Sequence, residues 1–139
     1  QSGDLKKYYT ALVGGSIDTL KDSARIELPI GRDPASIVKR EVRADGQLAV
    51  TDYWLEDRTK EVAQVNIQLH TGRTHQIRVH FSALGCPLLG DDMYFGDMTQ
   101  GIDRQALHCA RLEMIHPFTG EPLTFTQCLP EDMLQVMNN

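Results

Sequence analysis

The sequence predicts an α+β fold: a mainly antiparallel mixed sheet with one central helix and a short terminal helix. Three observations carry this. Val65, Ile67 and Leu69 alternate with Asn66, Gln68 and His70, the pattern of a half-buried strand, and other runs repeat it. One stretch changes period, with Ile77, Phe81 and Leu84 at i, i+4 and i+7 on one face of a helix. The order is strands, helix, strands, helix, without the regular alternation that builds a parallel sheet.

Each element has a local reason. Lys6 to Val13 reads as a first strand, ended by Gly14-Gly15. Ser23 to Ile30 is a second, with Ala24, Ile26, Leu28 and Ile30 on one face and Pro29 suited to an edge or a strand end. Gly31 to Ser36 reads as a polar turn. Gln47 to Leu55 and Val62 to His70 form a hairpin that turns through Asp57-Arg58-Thr59. The helix is expected over Thr74 to Leu84, with Thr74 as N-cap and Gly85 and Pro87 as the stop. Gly90 to Gly101 reads as a loop. Ala106 to His116 and Pro122 to Cys128 make a second hairpin, and Pro130-Glu131-Asp132 opens the terminal helix with Met133, Leu134 and Met137.

Composition narrows the classes. The 139 residues suit one domain, and 41% hydrophobic with 24% charged residues is a globular balance. No apolar run reaches the roughly 20 residues of a membrane helix. Gln1-Ser2-Gly3-Asp4 has neither the basic nor the apolar region of a signal peptide, and Gln1 to Gly3 are set aside from the fold reading. Cys86, Cys109 and Cys128 are odd in number and widely spaced, with no C-x-x-C pair, which fits a reducing compartment. A net charge of -5 argues against nucleic-acid binding by a broad basic surface, and leaves room for a local basic cleft.

The densest polar cluster is His70-Thr71-Gly72-Arg73-Thr74-His75-Gln76-Ile77-Arg78-Val79-His80. It joins a strand end, a glycine turn and a helix start, where free backbone N–H groups favour anions. Arg73 adds a guanidinium suited to phosphate or carboxylate. His75 and Arg78 share a helix face, and Ile77 points from them into the core. A solvated helix with a surface ion pair fits the same pattern, and periodicity alone does not choose between the two. A metal site fits poorly, since His70, His75 and His80 are five apart rather than four. Tyr9 in the first strand can stack on a nucleobase, or simply pack in the core.

The run Gly72-Arg73-Thr74-His75-Gln76-Ile77-Arg78-Val79-His80, continued by Leu84-Gly85-Cys86-Pro87-Leu88-Leu89-Gly90-Asp91, resembles the signature of RluA-type pseudouridine synthases. Tyr94-Phe95-Gly96 splits that family's Tyr-Gly by one residue. Lys7-x-Tyr9-x-Ala11-Leu12-Val13 is similar to the motif around its base-stacking tyrosine, and Gly46-Gln47-Leu48-Ala49-Val50-Thr51 to its G-K-x-A-x-T stretch. Gln105-Ala106-Leu107-His108, His116-Pro117 and Gly120-Glu121-Pro122-Leu123 resemble later segments. The resemblance spans about residues 5 to 135.

The resemblance implies isomerisation of uridine to pseudouridine in structured RNA, ribosomal RNA first and transfer RNA second. It implies a cytoplasmic enzyme with no cofactor, no metal and no membrane partner. By carry-over, Tyr9 stacks on the flipped base and handles the C5 proton, and Arg78 pairs with the catalytic aspartate. Arg73, Thr74 and His75 hold the RNA backbone and the loop, while Ile77 and Leu107 line the apolar side of the uracil pocket. The aspartate itself belongs to an H-R-L-D-x-x-T-S-G motif, which this sequence lacks; Cys109-Ala110-Arg111-Leu112-Glu113 is only an echo of it in the wrong place. Residues 1–139 are therefore expected to be the C-terminal part of a catalytic domain, inactive alone, with open sheet edges and with Arg78 lacking a carboxylate partner. A non-catalytic RNA-binding module of the same fold and an unrelated interaction domain are the alternatives.

Overall fold

The computed structural model describes residues 5–138. The signal-peptide reading of Gln1 to Asp4 lies outside the described residues. A six-stranded sheet runs in the order β2-β5-β6-β1-β7-β8, and every pair in it is antiparallel. Its strands are β1 (Leu5–Val13), β2 (Ser23–Glu27), β5 (Val50–Arg58), β6 (Ala63–Leu69), β7 (Leu107–Ile115) and β8 (Pro122–Thr126). A separate hairpin pairs β3 (Ile30–Arg32) with β4 (Arg40–Val42). The helices are α1 (Gln76–Ala83) and α2 (Glu131–Asn138). The α+β class and antiparallel sheet expected from the sequence are present.

Strand alternation decides which side chains meet. Ala11, Val13, Val65, Ile67 and Tyr53 face α1, where Ile77 and Phe81 complete the main core. Leu12 points to the other face and packs with Leu89, Ala106 and the α2 residues Met133 and Val136. The face of α2 is thus set by Met133 and Val136, and Leu134 is exposed. A third cluster of Ile30, Ala49, Val79 and Tyr94 ties the β3–β4 hairpin to the far side of α1.

Several boundaries differ from expectation. The second strand stops at Glu27, and Ile30 begins β3 in the hairpin, so Gly31 to Ser36 is not a plain turn. Ile30 and Gln47 exchange backbone hydrogen bonds of 2.9 and 2.8 Å, which draws Gln47 to that hairpin and delays β5 to Val50. A bulge between Leu55 and Asp57 carries β5 on to Arg58, and the turn falls at Thr59 to Val62. β8 ends at Thr126 rather than at Cys128.

The helix start is the largest correction. Thr74 is exposed and caps nothing; His75 precedes α1 in the left-handed region at φ 57°. The side chain of Gln76 organises the turn instead. Its Oε1 accepts from the Arg73 N–H (3.0 Å) and the Thr71 hydroxyl (2.7 Å), while Nε2 donates to the Val50 carbonyl and Thr51 Oγ1.

His80 is fully buried beside this turn. The Leu28 carbonyl lies 2.9 Å from Nε2 and can only accept, so Nε2 carries the proton. Nδ1 then accepts from the Thr51 hydroxyl at 2.8 Å. Burial pushes the imidazole pKa down, in keeping with this neutral tautomer.

Candidate active site

β1, α1 and the start of β7 enclose an open cavity of about 240 Å³. It is lined by Tyr9, Arg73, His75, Ile77, Arg78 and Leu107, with Leu69, Gln76 and Gln105. Six of the side chains singled out from the sequence therefore meet at one place. Thr74 does not join them; it lines a neighbouring cavity, which Arg73 shares. Ile77 serves two purposes, packing in the core at 4% exposure while contributing to the cavity wall.

Tyr9 sits mid-strand on β1, paired with Ile67 on one side and Cys109 on the other. The β1–β7 register shifts between Tyr8 and Tyr9, a bulge of the kind that re-aims side chains beside sites. Burial, and secondarily Cys109, raises the Tyr9 pKa, so its phenol is neutral at physiological pH.

Arg78 departs from expectation. It has a carboxylate partner: Asp91, 1% exposed, accepts from Nε and Nη2 at 2.9 Å each. The two residues are only thirteen apart, and the tight turn from Leu88 to Gly96 folds the loop back onto α1. Gly96 permits this, since a Cβ there would meet the Leu88 carbonyl oxygen at 2.1 Å. The expectation that Arg78 lacks such a partner is overturned. Only one edge of its guanidinium is taken, and Nη1 has no protein partner among the described residues.

Tyr94 is marked in the sequence only as the split Tyr-Gly of the signature, with no role in the site. It is buried in a short 3-10 turn, Asp92–Tyr94, and its ring lies 4.9 Å from the Arg78 guanidinium carbon. Its hydroxyl accepts from the Arg40 backbone N–H at 2.8 Å and stands 2.7 Å from His75 Nδ1. In the neutral His75 tautomer with its proton on Nε2, Nδ1 accepts from this hydroxyl; in the other tautomer Nδ1–H donates to it. Burial first, then Arg78 and Arg40, lower the His75 pKa and favour the neutral form. The available signal was an aromatic residue close after the Gly90-Asp91 turn.

The cavity thus offers a stacking ring, an apolar floor and a converging set of cationic or hydrogen-bonding groups. Among the described residues its lining contains no carboxylate. Comparison with known proteins gives the family of the chain. Residues 1–83 match the family model described as RNA pseudouridylate synthase. The chain belongs to the RNA pseudouridylate synthase family. The RluA-type resemblance stands with it. An uncharacterized RNA pseudouridine synthase, YjbO of Bacillus subtilis, is 44% identical over 99% of this chain and 47% of its own length. Ribosomal large subunit pseudouridine synthase D of Xanthomonas campestris is 37% identical over 97% of this chain and 44% of its own. The solved structure of human RNA Pseudouridylate Synthase Domain Containing 1 superposes with a TM-score of 0.75 at 27% identity, covering 90% of this chain and 55% of that one. The chain spans about half the length of the relatives it matches.

Proposed function

We propose that the cavity holds the target uridine of an RNA pseudouridine synthase, with ribosomal RNA as the first candidate substrate, transfer RNA as the second, and the cytoplasm as the setting. The observation that carries this is the convergence of Tyr9, Ile77 and Leu107 with Arg73, His75 and Arg78 around one cavity. Among the described residues, no helix is long and apolar enough to cross a membrane.

In this reading, the Tyr9 ring stacks on the extruded base, and Ile77 and Leu107 close the apolar side. Isomerisation breaks the N1–C1′ bond, turns the uracil and joins C5 to C1′. The C5 hydrogen leaves as a proton to water and N1 takes up one proton, so the isomerisation balances. A neutral phenol of raised pKa is a weak base, so Tyr9 supports this step as a stacking face and hydrogen-bond donor. The reaction needs a catalytic carboxylate, which the proposal takes from a segment outside these residues. Asp91 holds the guanidinium plane of Arg78, and the Nη1 edge meets the incoming carboxylate. No metal or organic cofactor has a role in this chemistry. The absence of a carboxylate from the lining favours one second reading, a non-catalytic RNA-binding module.

Tritium release from ribosomal RNA labelled at uridine C5 separates the two. We expect release from a longer chain restored to the length of the relatives, little from residues 1–139 alone, and a loss of at least about a hundredfold in the longer chain on Arg78→Ala. Release by the 139-residue chain alone would place the carboxylate within it and refute the site assignment. Silence of the longer chain on both ribosomal and transfer RNA would favour the binding module.

A further inference from the structure

We infer that the β3–β4 hairpin and the turn before α1 form a phosphodiester site for the RNA strand next to the uridine cavity. The inference deepens the proposed function and rests on it. The site is a polar cavity of about 300 Å³ lined by Arg32, Arg40, Arg73, Thr74, Gln47 and Asp45, among others. Arg73 also lines the Tyr9 cavity, so the two are contiguous.

Charge placement carries the argument. The chain is acidic, with 19 Asp and Glu against 14 Lys and Arg, so carboxylates are plentiful. Ion pairs among the described residues hold Arg25, Arg43, Arg78, Arg104 and Arg111. That leaves Arg32, Arg40, Arg58 and Arg73, and three of these four line this one cavity. The carboxylate in the lining, Asp45, is already taken by Arg43, whose Nε and Nη2 lie 2.8 and 3.3 Å from its oxygens.

Arg32 and Arg40 are also directly opposite each other in the β3–β4 register. Like charges in that position, with Cβ atoms about 5 Å apart, destabilise a strand pair unless an anion lies between them. Arg40 keeps Nη1 on the Ile37, Val38 and Lys39 carbonyls, and Arg73 keeps Nε on the Leu48 carbonyl at 2.7 Å. These bonds hold both guanidinium groups in place and leave their remaining N–H groups for a ligand. Arg32 has no side-chain hydrogen bond among the described residues. A phosphodiester supplies the missing charge and accepts from all three. Arg40 is further tied to the uridine cavity because its backbone N–H donates to Tyr94, which holds His75.

The test is a titration of the 139-residue chain, read by NMR at the arginine Nε–Hε signals and at the Tyr9, Ile77 and Leu107 amides. Uridylyl-uridine supplies base and phosphodiester, uridine supplies the base alone, and inorganic phosphate the anion alone. We expect uridylyl-uridine to shift Arg32, Arg40 and Arg73 saturably, and uridine to leave Arg32 and Arg40 unmoved. Arg32→Gln, a change at an exposed side chain, should abolish the Arg40 shift. It should also reduce the log–log salt slope of binding to a short single-stranded RNA by about 0.7. Uridine shifts at Tyr9 and Leu107 with arginines silent toward uridylyl-uridine would overturn this site and leave the uridine pocket standing. Arginine shifts that saturate at lower concentration with inorganic phosphate than with uridylyl-uridine would make it a free-anion site and overturn the RNA assignment. Arginine shifts with uridylyl-uridine while Tyr9 and Leu107 ignore uridine would uphold this site and refute the pocket.

Discussion

Arg78 shows how far a single residue can be read from sequence. The motif marked it as functional, and the structure puts it at the cavity. Its partner Asp91 is marked only as the end of the motif, because the pairing depends on a loop folding back, which no local pattern records. Removing one member of a buried ion pair strands the other, at a cost of about 3–5 kcal/mol. Asp91→Leu should therefore lower the urea midpoint sharply, and Arg78→Met/Asp91→Leu should recover much of the loss. An unchanged midpoint in Asp91→Leu would mean that the pair is not formed in solution. His80 makes a second prediction. Its folded pKa lies below the ordinary 6.5 because burial disfavours the imidazolium. The unfolded chain binds a proton near pH 6.5 that the fold resists, so the contribution of His80 is complete above that pH and falls as pH drops below it. His75 acts in the same direction. Asp45, Asp52 and Asp97 are held below 3.8 chiefly by hydrogen bonds from Arg43, Arg25 and Thr99 respectively, so their contributions disappear only in stronger acid. Melting temperature should fall between pH 7 and 5 by circular dichroism, and His80→Gln should flatten the fall.

Among the elements, the long ones were legible and the short ones were not. β6 was plain because Val65, Ile67 and Leu69 alternate over its length, and each packs toward α1. β3 and β4 are three residues each, too short for a period, and the hairpin is held where Ile30 of β3 packs with Ala49, Val79 and Tyr94 from distant parts of the chain. The role of Tyr94 was hidden for the same reason, as its partners lie 19 and 54 residues away. The start of α1 was placed early because Thr74 is a good cap by type, whereas Gln76 closes the turn through its side chain. His75 pays the left-handed cost of about 1–2 kcal/mol for a non-glycine residue. His75→Ala keeps that cost and loses the Tyr94 contact, while His75→Gly loses the contact and sheds the strain. The glycine variant should be the more stable of the two by about 1 kcal/mol in chemical denaturation. Equal stabilities would argue against the left-handed backbone.

Across the whole molecule, net charge and local charge point in different directions. A chain at -5 still gathers Arg32, Arg40, Arg73, His75 and Arg78 along two adjoining cavities. A second, mainly apolar hollow is lined by Tyr8 and Trp54, the latter 41% exposed, and is reached by Tyr9 as well; Phe125 is 55% exposed on the edge strand β8. Exposed aromatic residues and an open edge favour association between copies. Sedimentation velocity should show self-association that rises with concentration and weakens in Trp54→Glu; a monomer throughout would contradict this. The α+β class was legible because it depends on periodicity, and the family because its motif is continuous. The site's supporting network was not, because it is assembled by tertiary contacts.

The central claim is that uridine enters between Tyr9, Ile77 and Leu107. Its most direct test is photo-crosslinking of 4-thiouridine-substituted ribosomal RNA to the chain, with the modified residue located by mass spectrometry. The account predicts adducts at Ile77, Arg78 or Leu107, which line that cavity and not the hollow of Tyr8 and Trp54, reduced by competing uridylyl-uridine. Adducts confined to Tyr8, Trp54 and the Tyr9 they share a hollow with, and none at Ile77, Arg78 or Leu107, would contradict it.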